Sequence, residues 1–196
     1  MDKSAVRLGA DATPSAPALL LRPWSPADAA ELVELYRDDT LRRWTSSALD
    51  DEVSAARWIQ DQQRGWETGD RFGFAVTEVQ RPSAEGEGAA VEGQLAGHVI
   101  LKNVSPGSSS AEVGYWTAAR ARGRGVAPRA LDALTDWAFS ACPGAVLTRL
   151  ELLHQVDNAA SCRVARKSRY ELATLLPASA PAYPLAGHLH VRIRDR

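Results

Sequence analysis

The stretch best equipped for chemistry runs from Glu112 to Leu134, EVGYWTAARARGRGVAPRALDAL. A strand pattern ends at Thr117, and Arg122-Gly123-Arg124-Gly125-Val126-Ala127 leads directly into a helical pattern. The first turn of a helix presents N–H groups without intrahelical partners and a partial positive charge, so it can hold a phosphate. Gly123 and Gly125 carry no side chain that would keep an anion off the backbone. Arg120, Arg122, Arg124 and Arg129 add positive charge around the same point. Pro128 is tolerated there, because a first-turn N–H has no helical partner to lose. The plain alternative is a glycine turn with solvated arginines.

Two well-defined phosphate loops fit poorly. No Gly-x-x-x-x-Gly-Lys-Ser/Thr string occurs, and Pro128 occupies the third small position of a dinucleotide fingerprint. Glu151 also lies farther from Gly123 than the roughly 20 residues expected of a ribose-binding acid. A dinucleotide-binding oxidoreductase is therefore disfavoured.

The elements that must position this segment follow from periodicity. Residues 1–17 are small and polar and read as a flexible tail, with the folded domain over 18–196. Ala18–Arg22 is a short strand, and Ser25-Pro26-Ala27-Asp28 opens a helix with a Ser cap, Pro at the first position and Asp facing the dipole. A second helix spans about 51–66, with Gly69 just past its end. Arg71–Val79 alternates as a strand, and Gln80–Gly93 reads as a mobile hairpin connector. Strands at 95–101 and 112–117 flank a Ser-Pro-Gly-Ser turn and should pair antiparallel. A helix over 126–141, a strand over 146–154, a short helix over 158–169 and a strand over 188–193 complete the chain. One βαβ crossover beside an antiparallel meander predicts an α/β (α+β) domain on a mixed sheet.

Composition bounds the function more loosely. The chain has 196 residues, 45% hydrophobic and 24% charged, which suits one globular domain. Its 23 basic and 24 acidic residues leave a net charge of −1, which argues against gripping nucleic acid by bulk charge. Two cysteines, Cys142 and Cys162, cannot build a disulfide framework or a four-thiolate zinc site, and no metal is expected. The apolar runs fall short of a membrane span, and the first residues lack the apolar block of a signal peptide. The expectation is a cytoplasmic protein without nucleic-acid or membrane partners, and a homodimer stays open.

Several strings together resemble one family. Arg122-x-x-Gly125-x-Ala127 is similar to the Gln/Arg-x-x-Gly-x-Gly/Ala acetyl-CoA loop of GNAT N-acetyltransferases. Glu112–Trp116 (EVGYW), Asn158-x-x-Ser161-x-x-Val164-x-x-Lys167-x-x-Tyr170 and Leu21–Leu32 (LRPWSPADAAEL) resemble the ribosomal-protein-alanine acetyltransferase-like branch. One departure is Arg169, where the branch usually has Gly before the aromatic. The resemblance implies a single domain with a splayed central strand pair and flanking helices, and acetyl-CoA as cosubstrate. It places backbone groups of Tyr115, Trp116 and Thr117 on pantetheine. Those of Arg122, Gly123, Arg124, Gly125, Val126 and Ala127 would hold the pyrophosphate, with Asn158 and Ser161 near the thiol.

Acetyl transfer then needs a deprotonated amine, a stabilised carbonyl oxygen and a donor for the leaving thiolate. Ser161 is the donor candidate. Glu112, on the splayed strand, and Glu151, among leucines, are base candidates, each with a solvated or ion-paired alternative. His154 is a third base candidate, and Tyr170 a weaker acid. Both cysteines are read as structural, and direct attack by the amine is favoured over an acyl-enzyme. The resemblance places Trp24 and Trp44 beside the acceptor, which is expected to be a primary amine of a protein N-terminus or a small molecule. A catalytically silent acyl-CoA-binding or regulatory module on the same fold is the alternative.

Overall fold

The computed structural model describes residues 6–45, 47–80, 91–180 and 184–195. Eight strands form one sheet: β1 (Leu8–Ala10), β2 (Leu19–Pro23), β3 (Arg71–Gln80), β4 (Val91–Lys102), β5 (Ser110–Thr117), β6 (Arg149–Gln155), β7 (Glu171–Leu176) and β8 (Gly187–Ile193). Their spatial order is β1-β2-β3-β4-β5-β6-β8-β7. Every neighbouring pair is antiparallel except β5 and β6, which run parallel. The helices are α1 (Ala29–Leu35), α2 (Asp39–Trp44), α3 (Glu52–Thr68), α4 (Val126–Ala141) and α5 (Ala159–Lys167). The single α/β domain on a mixed, mostly antiparallel sheet agrees with the expected architecture.

Local sequence accounts for the helix ends. Ser25 closes a capping box on the 3-10 turn Pro26–Asp28, and its backbone N–H donates to Asp28 Oδ2 at 2.8 Å. Asp51 caps α3 by accepting from the Ser54 N–H at 2.7 Å, and the helix stops at Gly69, whose φ of 82° is left-handed. Ala55, Ile59, Gln62 and Trp66 form the buried stripe of α3. Trp66 and Trp137 pack edge-on against Phe72 and Phe74, with ring centroids 5.0–5.5 Å apart. A second aromatic group, Trp24, Trp58, His98 and Trp116, fills the opposite face. His98 is fully enclosed there, and that burial drives its pKa down to about 3.

Some elements differ from the sequence expectation. Leu8–Ala10 is not a free tail but an edge strand on β2, and Arg129 Nη2 reaches back to the Ala10, Asp11 and Pro17 carbonyls. The short α2 and the exposed edge strand β7 were not anticipated. The strand expected from 146 begins at Arg149. Most of the proposed 80–93 connector lies outside the described residues, while Val91–Gly93 already belongs to β4. Among the described residues no helix is long and apolar enough to cross a membrane.

Candidate functional site

The site begins where the parallel pair comes apart. β5 and β6 are in register only from Ser110–Val113 against Arg149–Leu152, after which no pairing continues. The β6-facing edge of Gly114–Thr117 is thus left open, with backbone groups that an extended ligand arm can pair with. Alternation along β5 sends Tyr115 toward α5 and Trp116 to the other face, against Trp24 and Tyr36. A cavity of about 400 Å³ occupies the gap, bounded by α2 on one side and by α4 and α5 on the other.

Two unpaired polar atoms belong to residues of this lining. The Tyr115 hydroxyl and the Trp116 Nε1 are buried with no hydrogen-bond partner among the described residues, and both residues line the cavity. Buried donors left unpaired are costly, so they mark where a ligand atom would be welcome. Burial also pushes the Tyr115 hydroxyl up to about 12, with nearby Ser161 opposing the shift. It is a proton donor at neutral pH, not a base.

The glycine loop sits at the mouth. Gly123 and Gly125 have φ of 77° and 73°, the left-handed region that a side chain resists. Gly125 is the N-cap of α4 and no side chain caps the helix, so its first-turn N–H groups stay available to an anion. Arg122, Gly123, Gly125, Val126 and Ala127 line the cavity, whereas Arg124 does not. The arginines are not the free cations the sequence suggested. Arg120 pairs with Glu31 at 2.5 Å, Arg122 with Asp38 and Arg124 with Glu78. The anion affinity of this loop therefore rests mainly on backbone N–H groups.

Across the cavity, α5 begins at Asn158, whose Oδ1 accepts from the Ser161 N–H at 3.1 Å. Both residues line the cavity. The helix ends without glycine. Arg169 adopts φ 58° itself, its N–H donates to the Arg166 carbonyl at 3.2 Å, and the Tyr170 N–H donates to the Ala165 carbonyl at 2.8 Å. This is the paired C-terminal motif that glycine usually provides. The departure at Arg169 is absorbed by strain rather than by a different turn.

The carboxylate base candidates lie elsewhere. Glu112 and Glu151 face each other in the closed part of the parallel pair, and neither lines the cavity. Glu112 is held by Lys102 at 2.7 Å and Asn103 at 3.0 Å, and Glu151 by Arg149 at 2.7 Å. Tyr170 is core, its hydroxyl 2.7 Å from Thr135 Oγ1. Trp24 is buried in the aromatic group, while Trp44 lines the cavity with Thr40 and Leu41. Cys142 is buried, which raises its thiol pKa to about 11 and leaves it inert. Cys162 is different: it lies against His154, His188 and His190. Burial and the neighbouring imidazoles hold His154 below its usual value.

Sequence reasoning missed Thr40, Leu41, Arg163 and Lys167 as cavity residues. The only signal for α2 was Asp38, which caps it through the Thr40 N–H at 3.2 Å.

With this geometry in hand, comparison with known proteins is informative. Residues 18–171 match the model of the acetyltransferase (GNAT) domain. Among curated proteins, none matches the chain. Among solved structures, a Vibrio cholerae protein assigned as a ribosomal-protein-serine acetyltransferase is 25% identical, with a TM-score of 0.76 over 97% of this chain and 99% of that one. RimJ of Mycobacterium smegmatis, solved with a CoA disulfide, is 21% identical with a TM-score of 0.78, covering 97% and 88% of the two chains. RimL, a ribosomal-protein α-N-acetyltransferase solved with coenzyme A, is 19% identical with a TM-score of 0.75, covering 93% and 97%. The last two likenesses bear on the fold alone.

Proposed function

The chain belongs to the GNAT acetyltransferase family and is an N-acetyltransferase; on that premise we propose that it takes its acetyl group from acetyl-CoA and that its acceptor is the α-amino group at a protein N-terminus, which attacks the thioester directly. The observation that carries the acceptor class is that, among the described residues, the cavity lining holds no Asp, Glu or His, and its charged side chains are Arg122, Arg163 and Lys167. Without a strong base at hand, the acceptor must supply its own lone pair. An α-amine with a pKa of about 7.7–8.0 is roughly one-third neutral at pH 7.5, whereas a lysine amine near 10.4 is neutral in about one molecule per thousand. The name of the Vibrio cholerae relative, a ribosomal-protein-serine acetyltransferase, supports a protein acceptor.

In this reading the pantetheine arm adds to the open edge of β5 at Tyr115–Thr117, and the pyrophosphate rests on the backbone of Arg122–Ala127. The amine nitrogen bonds to the thioester carbonyl carbon, the C–S bond breaks, and the amine's surplus proton leaves to water. Ser161 Oγ donates to the departing sulfur, and the Tyr115 hydroxyl, beside Ser161, would share that duty. Asn158 holds the first turn of α5 that presents Ser161. The Arg124 side chain acts only by fastening the loop to Glu78.

Free-thiol release with peptides of free, blocked and lysine-only amines tests the proposal. The expected result is turnover of free N-terminal peptides alone, with kcat/KM rising through about pH 7.7–8.0. Turnover of lysine peptides at comparable rates would remove the α-amine assignment. Tight CoA binding without any turnover would favour a silent binding module.

A further inference from the structure

The chain has four histidines, and three of them converge on one of its two cysteines. The sheet register brings them there. His154 on β6 stands directly opposite His188 on β8, and Leu152 opposite His190, so His188 and His190 share a face and His154 reaches both. The rings lie 5.2 Å (His154–His188), 5.2 Å (His154–His190) and 5.9 Å (His188–His190) apart. α5 then lays Cys162 over this face. Its Sγ is 3.2 Å from His188 Nδ1, 3.6 Å from His154 Nε2 and 4.0 Å from His190 Nε2.

Hydrogen bonding behind the rings settles two tautomers. His154 Nδ1 lies 2.8 Å from the Gln155 carbonyl, and His190 Nδ1 lies 3.2 Å from the Tyr170 carbonyl. A carbonyl only accepts, so each Nδ1 carries the proton and each Nε2 presents a bare lone pair. Both lone pairs point at Cys162 Sγ, and a thiol has one proton to offer. At least one buried or half-buried lone pair is left without a donor, unless a cation sits between the four atoms.

We propose that Cys162, His154, His188 and His190 form a four-ligand site for a divalent transition metal, zinc by preference, that clamps α5 onto β6 and β8. All four ligand atoms lie within 4.8 Å of one another. Zinc–sulfur bonds of about 2.3 Å and zinc–nitrogen bonds of about 2.0–2.1 Å at tetrahedral angles require sulfur–nitrogen separations of roughly 3.5 Å. The three observed values bracket that figure. One thiolate and three imidazoles suit zinc, and the carbonyls behind His154 and His190 supply the orienting contacts that zinc histidines use. Four protein ligands leave no open position, so the metal here is structural and takes no part in acetyl transfer. It departs from the sequence expectation of no metal, and it holds the helix whose first turn carries Asn158 and Ser161.

Cobalt(II) titration of the full, tag-free chain is the test. The expected result is one equivalent of cobalt giving the intense visible bands of a tetrahedral ion and a thiolate-to-cobalt charge-transfer band, both displaced by one equivalent of zinc. Cys162→Ser should remove the charge-transfer band, and His188→Asn should weaken binding at least tenfold while circular dichroism shows a folded chain. No cobalt spectrum with the wild-type chain would overturn the site. Bands that persist unchanged in both variants would overturn it as well, because other residues would then hold the ion.

Discussion

Replacing Arg169 by glycine should stabilise the protein, because Arg169 occupies a backbone conformation that its side chain resists. The residue sits at φ 58° just past α5, and the two hydrogen bonds to Arg166 and Ala165 hold it there. Left-handed backbone costs a residue with a Cβ about 1–2 kcal/mol. Glycine removes that cost but returns roughly 0.5–1 kcal/mol through the freer unfolded chain. The net expectation is a gain of about 0.5–1 kcal/mol. The Arg169 side chain is exposed, so little packing is lost with it. For a chain of this size a gain of 1 kcal/mol raises Tm by roughly 2–4 °C. Calorimetric melting at fixed pH reads it, with Arg169→Ala as the control that removes the side chain but keeps the Cβ. Arg169→Gly should melt about 1–4 °C higher and Arg169→Ala should not. An Arg169→Gly variant melting at or below the wild type, or an alanine variant that gains as much, would refute the strain argument.

Gly125→Val should weaken CoA binding at least tenfold by calorimetry, since the added side chain projects where the phosphates would rest. A Cβ there would meet only Arg129 Cδ at 3.8 Å, so the chain should still fold, less stable by about 1–2 kcal/mol. Arg124→Ala, which breaks an exposed pair with Glu78 outside the cavity, should leave CoA affinity within about fivefold. Ser161→Ala should lower kcat by about 10²-fold with KM nearly unchanged in steady-state thiol release. His98 is held to about 3 in the folded state against roughly 6.5 unfolded. The unfolded chain therefore binds the extra proton between those values, and stability should fall as pH drops below 6.5, by up to about 1.4 kcal/mol per pH unit. His154 and His190 shift in the same direction, so the measurement is the slope of Tm with pH in His98→Asn against wild type, and it should flatten.

What could be read from the sequence was local. The glycine loop, the Ser25 and Asp51 caps and the amphipathic α3 and α4 each depend on residues within one or two turns, so spacing reveals them. The cavity wall formed by Tyr115–Thr117, Arg122, Gly123, Gly125–Ala127, Asn158 and Ser161 was legible for the same reason, through motifs that stay together along the chain. Long-range pairing was not. Arg120, Arg122 and Arg124 find carboxylates 89, 84 and 46 residues away, which turned an apparent basic patch into neutralised pairs. Glu112 and Glu151 looked like bases because their strands flank the splay, but register places both at its closed end. β7 has an almost wholly exposed row of residues and no alternating burial to announce it. The histidines around Cys162 meet only once β8 has paired with β6, although His188-x-His190 was a visible same-face pair.

Transfer of an isotopically labelled acetyl group from acetyl-CoA to an N-terminal peptide, located by tandem mass spectrometry, identifies the accepting nitrogen itself. Label is expected on the α-nitrogen of the first residue and none on the same peptide with a blocked N-terminus. Label confined to lysine side chains, or no label on any amine with the chain saturated by acetyl-CoA, would contradict it.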